Sequence, residues 1–255
     1  MQTVMYTDTI FGPIHSRRLG SSLGVNLMPR DGKICSFDCL YCEAGFNAQG
    51  PGKAGMPSRE QVRAGLEARL AELKEAGRPV DNITFSGNGE PTLHPDFAGV
   101  IDDTIALRDR YYPGAGVSVL SNATMLHRPE VVEALRRVDH PILKLDSAVD
   151  ATAAALDRPV GPYSVERVIS QLHDFGPQAV VQTMITRGDG VDNTTGAEID
   201  ALIDAYRRIA PGSVMLYTID RPTPDTTLKR VPRVELDAIA ERITAATGLS
   251  VQVSG

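Results

Sequence analysis

Three cysteines, Cys35, Cys39 and Cys42, are the only ones in 255 residues, and all fall within eight positions. Their spacing is C-x₃-C-x₂-C. An odd, sparse count does not suit a disulfide framework, so a shared ligand is the first reading. Three thiolates on a short loop can hold three irons of a cubane and leave the fourth iron without a protein ligand. An iron left open can take an external ligand and do chemistry on it. A structural zinc site is the alternative, but it normally closes with four ligands. No fourth cysteine exists, and the nearest histidines, His15 and His94, are distant in sequence. A chance grouping of buried or reactive thiols is the third reading.

Other residues could carry chemistry beside such a cluster. Gly87 and Gly89, in Ser86-Gly87-Asn88-Gly89-Glu90-Pro91, can let the backbone approach a ligand closely. A plain βα turn would use the same glycines. Ser121 and Asn122 are short polar groups that can donate to and accept from a ribose or a carboxylate; a turn or cap role is equally open to them. Lys144 and Asp146 can contact a ligand or pair with each other. His15, Arg17 and Arg18 are candidates for an anion site near the mouth, with a solvated surface face as the alternative. His127, His140 and His173 show no partner in the sequence and receive no role.

The elements that must position these groups alternate strictly. Strands are predicted at 23–28, 83–86, 116–120, 142–146, 179–185 and 213–219, with a short terminal strand at 249–253. Between them run helical stripes, such as Val62, Leu66, Leu70 and Leu73 behind a Ser58 N-cap. Six strands alternating with six helices imply a parallel sheet with right-handed helical crossovers. The fold class is α/β, a partial (β/α)₆ TIM-like barrel with outer helices. No composition break marks a second domain, so residues 1–255 read as one domain with a cluster loop at 33–46. Within the strands, Ile142, Lys144 and Asp146 share one face, as do Thr84 and Ser86, and Gln182 lies opposite Val181 and Thr183. A packed parallel sheet would be apolar on both faces. Polar residues on one face suggest a wet, ligand-filled interior; strand ends near solvent are the alternative.

Hydrophobic residues make up 42% and charged residues 23%, which excludes a disordered chain. The net charge of −6 lacks the basic footprint expected of a nucleic-acid protein. No apolar run approaches the ~20 residues of a membrane helix. Arg17-Arg18 is followed by a short stretch broken by Ser21, Ser22, Gly24 and Asn26, so a twin-arginine export signal is rejected and a cytoplasmic location expected.

The cysteine motif, with Tyr41 as the aromatic just before the last cysteine, resembles the signature of the radical S-adenosylmethionine (SAM) superfamily. Ser86–Pro91 resembles that family's Gly-Gly-Glu-Pro segment. Arg17–Gly20, Thr92–Pro95 and Leu120–Thr124 resemble the branch of Fe–S oxidoreductases related to the wyosine-forming tRNA enzymes. The likeness runs from about residue 10 to about residue 245.

The resemblance implies one [4Fe–4S] cluster on Cys35, Cys39 and Cys42, and SAM as the ligand of the open iron. It implies a radical enzyme that cleaves SAM and abstracts hydrogen from a substrate, with the protein binding, orienting and excluding water. Gly87, Asn88, Gly89 and Glu90 would then meet the methionyl group, Ser121 and Asn122 the ribose or carboxylate, and Lys144 and Asp146 SAM or substrate. The Tyr41 backbone would lie beside adenine. An external one-electron donor of flavodoxin or ferredoxin type is required. Wyosine-forming relatives carry further N-terminal cysteines, which this chain lacks. The expected substrate is therefore a small molecule or a peptide or protein, with tRNA the alternative and no membrane partner. A non-catalytic Fe–S sensor is the reading from a different class.

Overall fold

The computed structural model describes residues 4–16 and 19–255. Arg17 and Arg18 thus lie outside the described residues, and of the proposed anion site only His15 can be placed. In chain order the strands are β1 (Ile10–Ser16), β2 (Gly20–Val25), β3 (Asn82–Phe85), β4 (Gly116–Ser121), β5 (His140–Lys144), β6 (Val180–Met184), β7 (Thr186–Gly188), β8 (Val191–Asp192), β9 (Ser213–Tyr217), β10 (Lys229–Arg230) and β11 (Val251–Ser254). The helices are α1 (Arg59–Glu75), α2 (Phe97–Tyr111), α3 (Pro129–Arg136), α4 (Asp150–Asp157), α5 (Val165–Phe175), α6 (Gly196–Ile209) and α7 (Arg233–Thr247).

Eight strands form one sheet in the order β1-β2-β3-β4-β5-β6-β9-β11. From β2 to β11 every neighbouring pair is parallel, and only β1 is antiparallel to its partner. The six anticipated strands and the terminal strand are thus the parallel spine of an open, partial (β/α) barrel. Its two faces differ. Leu23 and Val25, Ile83 and Phe85, Val117 and Val119, Leu143 and Leu145, and Val214 and Leu216 are buried outward in the apolar core beneath the helices. The opposite face turns Thr84, Leu120, Ile142, Lys144, Gln182, Met215 and Tyr217 onto an interior cavity.

Local sequence explains the helices. α1 starts at a capping box, where Gln61 N–H donates to Ser58 Oγ and Ser58 N–H donates to Gln61 Oε1. Its buried stripe is Val62, Leu66, Leu70 and Leu73. Three parts of the fold carry no strong sequence signal. β1 contains Gly12 and Pro13, which read as breakers; it sits at the sheet edge, and its register shifts between Phe11 and Ile14. α4 is alanine-rich and buries only Ala153, Leu156 and Asp157, so it lacks an apolar stripe. The strands β10, β7 and β8 form a small separate sheet and are too short for any period to register. Among the described residues, no helix is long and apolar enough to cross a membrane.

Candidate active site

The loop that follows β2 carries the three cysteines over the C-terminal ends of the strands, the end where parallel barrels place their chemistry. Backbone bonds hold it on two sides. Ile34 N–H donates to the Asn88 carbonyl at 3.2 Å, and Glu90 N–H donates to the Ile34 carbonyl at 3.0 Å. On the other side, Asp38 N–H and Leu40 N–H donate to the Asp157 and Leu156 carbonyls, at 3.0 and 2.9 Å. Inside the loop, Lys33 Nζ donates to the Gly45 carbonyl at 2.6 Å, and the Asn47 side-chain amide donates to the Phe37 carbonyl at 3.0 Å.

All three thiols are free, and all three line one cavity of about 510 Å³. Ser86, Gly87, Gly89, Glu90, Ser121, Asn122 and Lys144 line the same cavity, and so does His15. Cys35 Sγ accepts from Phe37 N–H at 3.4 Å, and the Asn122 amide approaches it at 3.7 Å. Cys39 Sγ accepts from Lys144 Nζ at 3.0 Å. Burial pushes the Cys35 thiol up to about 11, with the Glu90 charge adding to the rise, and burial also raises Cys39. Thiols bind iron as thiolates, so cluster assembly at these cysteines releases protons. Among the described residues no three His, Cys, Asp or Glu side chains converge as a single ion would need. A four-iron cube spans a wider site than one ion, and an all-thiol donor set is the set such a cube takes.

The glycine-rich loop gains its shape from neighbours as well as from any ligand. Gly87 has φ 129°, and a Cβ there would lie 2.6 Å from Asn26 Oδ1. Gly89 has φ 143°, and a Cβ there would lie 1.8 Å from the Ile34 carbonyl oxygen. The Asn88 side chain points away from the cavity. Its Oδ1 accepts from Tyr6 N–H at 2.9 Å, and its Nδ2 donates to the Tyr6 and Pro29 carbonyls at 2.8 and 2.9 Å. Only the Asn88 backbone is placed to serve the loop.

Glu90 is 2% exposed, and four groups already donate to it. Thr92 N–H, Thr92 Oγ1 and Ser121 Oγ reach Oε1 at 3.0, 2.6 and 2.9 Å, and Asn122 N–H reaches Oε2 at 2.7 Å. Burial raises its pKa while these bonds pull the other way. The carboxylate thus joins the glycine loop to the end of β4. Replacing it, Glu90→Ala, strands buried donors and is expected to cost about 1–3 kcal/mol for each one left unpaired. Thermal unfolding of the apoprotein checks this.

Lys144 and Asp146 sit with two groups that sequence reasoning passed over or undervalued. Lys144 Nζ lies 2.6 Å from Asp157 Oδ1, off the direction of a good hydrogen bond, and 3.2 Å from Asp146 Oδ2. It also stands over the rings of Tyr41 and Phe37, at 4.7 and 5.1 Å from their centroids. Burial opposes the lysine charge, but Asp146 and Asp157 more than offset it and hold its pKa well above the usual value. Tyr41 Oη donates to Asp146 Oδ2, and Met184 N–H donates to Asp146 Oδ1 at 2.9 Å. Asp157 had one readable signal: an acid in the last turn of a helix opposes the helix dipole, so it implies a cation elsewhere in the fold. His127 lines a second cavity of about 400 Å³, with Thr124, Tyr163 and Arg167. His173 Nδ1 pairs with the Arg208 carbonyl.

Residues 31–204 match the family model of the radical SAM superfamily. The chain belongs to the radical SAM superfamily. Members of this superfamily are enzymes that use a [4Fe–4S] cluster and SAM. A UPF0026 protein of Helicobacter pylori (strain J99) is 31% identical over 224 residues, covering 84% of this chain and 67% of that one. A radical SAM methyltransferase from Sphaerobacter thermophilus shares the fold with TM-score 0.69 and 20% identity, over 91% of this chain and 65% of that one. The chain therefore spans about two thirds of either protein. The wyosine-related archaeal TYW1 shares the fold with TM-score 0.50 and 15% identity, over 89% of this chain and 72% of that one.

Proposed function

We propose that Cys35, Cys39 and Cys42 hold one [4Fe–4S] cluster whose fourth iron binds SAM, and that the protein uses it to abstract hydrogen from a small-molecule or peptide substrate. The observation that carries this reading is the convergence of three free thiols with Ser86, Gly87, Gly89, Glu90, Ser121 and Asn122 on one cavity. When bound, the cluster and SAM supply a single electron and the radical that follows from it.

The rest is the work of the chain. The backbone of Gly87 and Gly89 lines the cavity beside the thiols, where it can meet the methionyl end of SAM. Ser121 and Asn122 close the next strand end, and the Asn122 amide is shared between Ser36 Oγ, at 2.8 Å, and Cys35. The same cavity has an uncharged stretch of wall made by Ile142, Gln182, Met184, Met215 and Tyr217. Such a lining excludes bulk water and suits an uncharged part of a substrate. Among the described residues at the mouth, Arg221 is matched by Glu43 at 2.7 Å. With a net charge of −6, this favours a small molecule or peptide over a nucleic-acid backbone. The electron comes from an external one-electron donor.

The test is anaerobic reconstitution with iron and sulfide, reduction with dithionite, and assay of SAM products. The enzyme reading expects 5′-deoxyadenosine. A cluster that forms and reduces but never cleaves SAM overturns it in favour of a sensor.

A further inference from the structure

Lys144 stands at the junction of the cluster loop and β5, and every group around it is fixed by the fold. A lysine ammonium has three N–H donors and no acceptor. Three acceptors surround this one within 3.2 Å: Cys39 Sγ at 3.0 Å, Asp157 Oδ1 at 2.6 Å and Asp146 Oδ2 at 3.2 Å. The rings of Tyr41 and Phe37 cover it, and the side chain is 12% exposed. Of these contacts, the one with the geometry of a hydrogen bond is that to Cys39, one of the three thiols.

We propose that Lys144 sets the reduction potential of the cluster, by a fixed, charge-assisted N–H···S bond to Cys39. The inference rests on the cluster proposed above. A cationic donor on a ligand sulfur draws electron density from it and favours the reduced, more negative cluster. The reaction concerned takes one electron from the external donor into the cluster, from the 2+ to the 1+ state. The step moves an electron alone. Asp146 and Asp157 hold the ammonium in place, and of the three side chains it is Lys144 that hydrogen-bonds the sulfur. Lys144 is thus a positioning residue that acts through Cys39. It lowers the reducing power that the donor must supply.

The experiment is an EPR-monitored redox titration of the reconstituted protein without SAM. At the potential that half-reduces the wild type, Lys144→Met should lower the ratio of reduced to oxidised cluster tenfold or more. That corresponds to a drop of about 59 mV for a one-electron couple. Lys144→Arg keeps the charge and the donors and should hold the ratio within threefold. Lys144→Met also leaves two buried carboxylates without their cation, so Lys144→Met/Asp157→Asn is the second variant, with the same direction of shift expected. In the unaltered protein labelled with ¹⁵N-lysine, pulsed EPR should detect a ¹⁵N nucleus coupled to the reduced cluster.

Iron-loaded variants that titrate with the wild-type potential, together with no lysine ¹⁵N coupling, overturn the inference and leave the cluster standing. A wild type that binds no iron overturns the cluster itself, and this inference with it.

Discussion

Replacing Cys35, Cys39 or Cys42 singly by alanine is expected to abolish both the cluster and SAM cleavage. Two remaining thiolates cannot fix a cubane whose fourth iron is already reserved for an outside ligand. Iron and sulfide should fall from near four of each per chain to near zero, and 5′-deoxyadenosine should fall below detection. The three losses should be equal, because each thiol serves one iron. The fold should survive: the apolar core lies under the outer helices, and the loop keeps its bonds to Asn88, Glu90, Leu156 and Asp157. Circular dichroism of each variant against the wild-type apoprotein separates loss of the cluster from loss of the fold. A variant that keeps full iron and turnover would remove its cysteine from the ligand set.

Gly89→Ala is the second large effect, and it acts through the backbone. The added Cβ would lie 1.8 Å from the Ile34 carbonyl oxygen and 2.6 Å from its carbon. Neither atom belongs to a flexible side chain, so the two strands of backbone must part. A residue with φ 143° also strains any side chain, at a cost of order 1–3 kcal/mol. Parting them breaks the bonds of Ile34 to Asn88 and Glu90, one residue from Cys35. The variant should retain its helices and sheet but load less than a tenth of the wild-type iron under matched reconstitution. Normal iron loading with lost SAM binding would place the role of Gly89 at the ligand alone.

That distinction marks how far the sequence could be read. The cysteine spacing is local, and a single short loop carries it, so the family was legible before any fold. The β/α alternation was legible because the strands are β-branched runs and the helices carry apolar stripes. The polar inner face could be read too, since Thr84, Lys144 and Gln182 alternate with Ile83, Leu143 and Val181 by the period of two. Contacts across the chain were not legible. Nothing near Asn88 says that its side chain turns to Tyr6, 82 positions away. Glu90 reads as a ligand carboxylate until Thr92, Ser121 and Asn122 are seen to occupy it. Asp157 was missed because α4 has no apolar stripe to announce it, and Lys144 could not be assigned without it. β1 was hidden by Gly12 and Pro13, which an edge strand tolerates and an inner strand does not.

The most direct test of the account is Mössbauer spectroscopy of ⁵⁷Fe-reconstituted protein, recorded before and after addition of SAM. The account predicts that one iron of the four changes its isomer shift and quadrupole splitting when SAM arrives, while the other three stay as they were. Spectra that are identical with and without SAM would contradict it, as they would show a cluster with no iron open to the ligand.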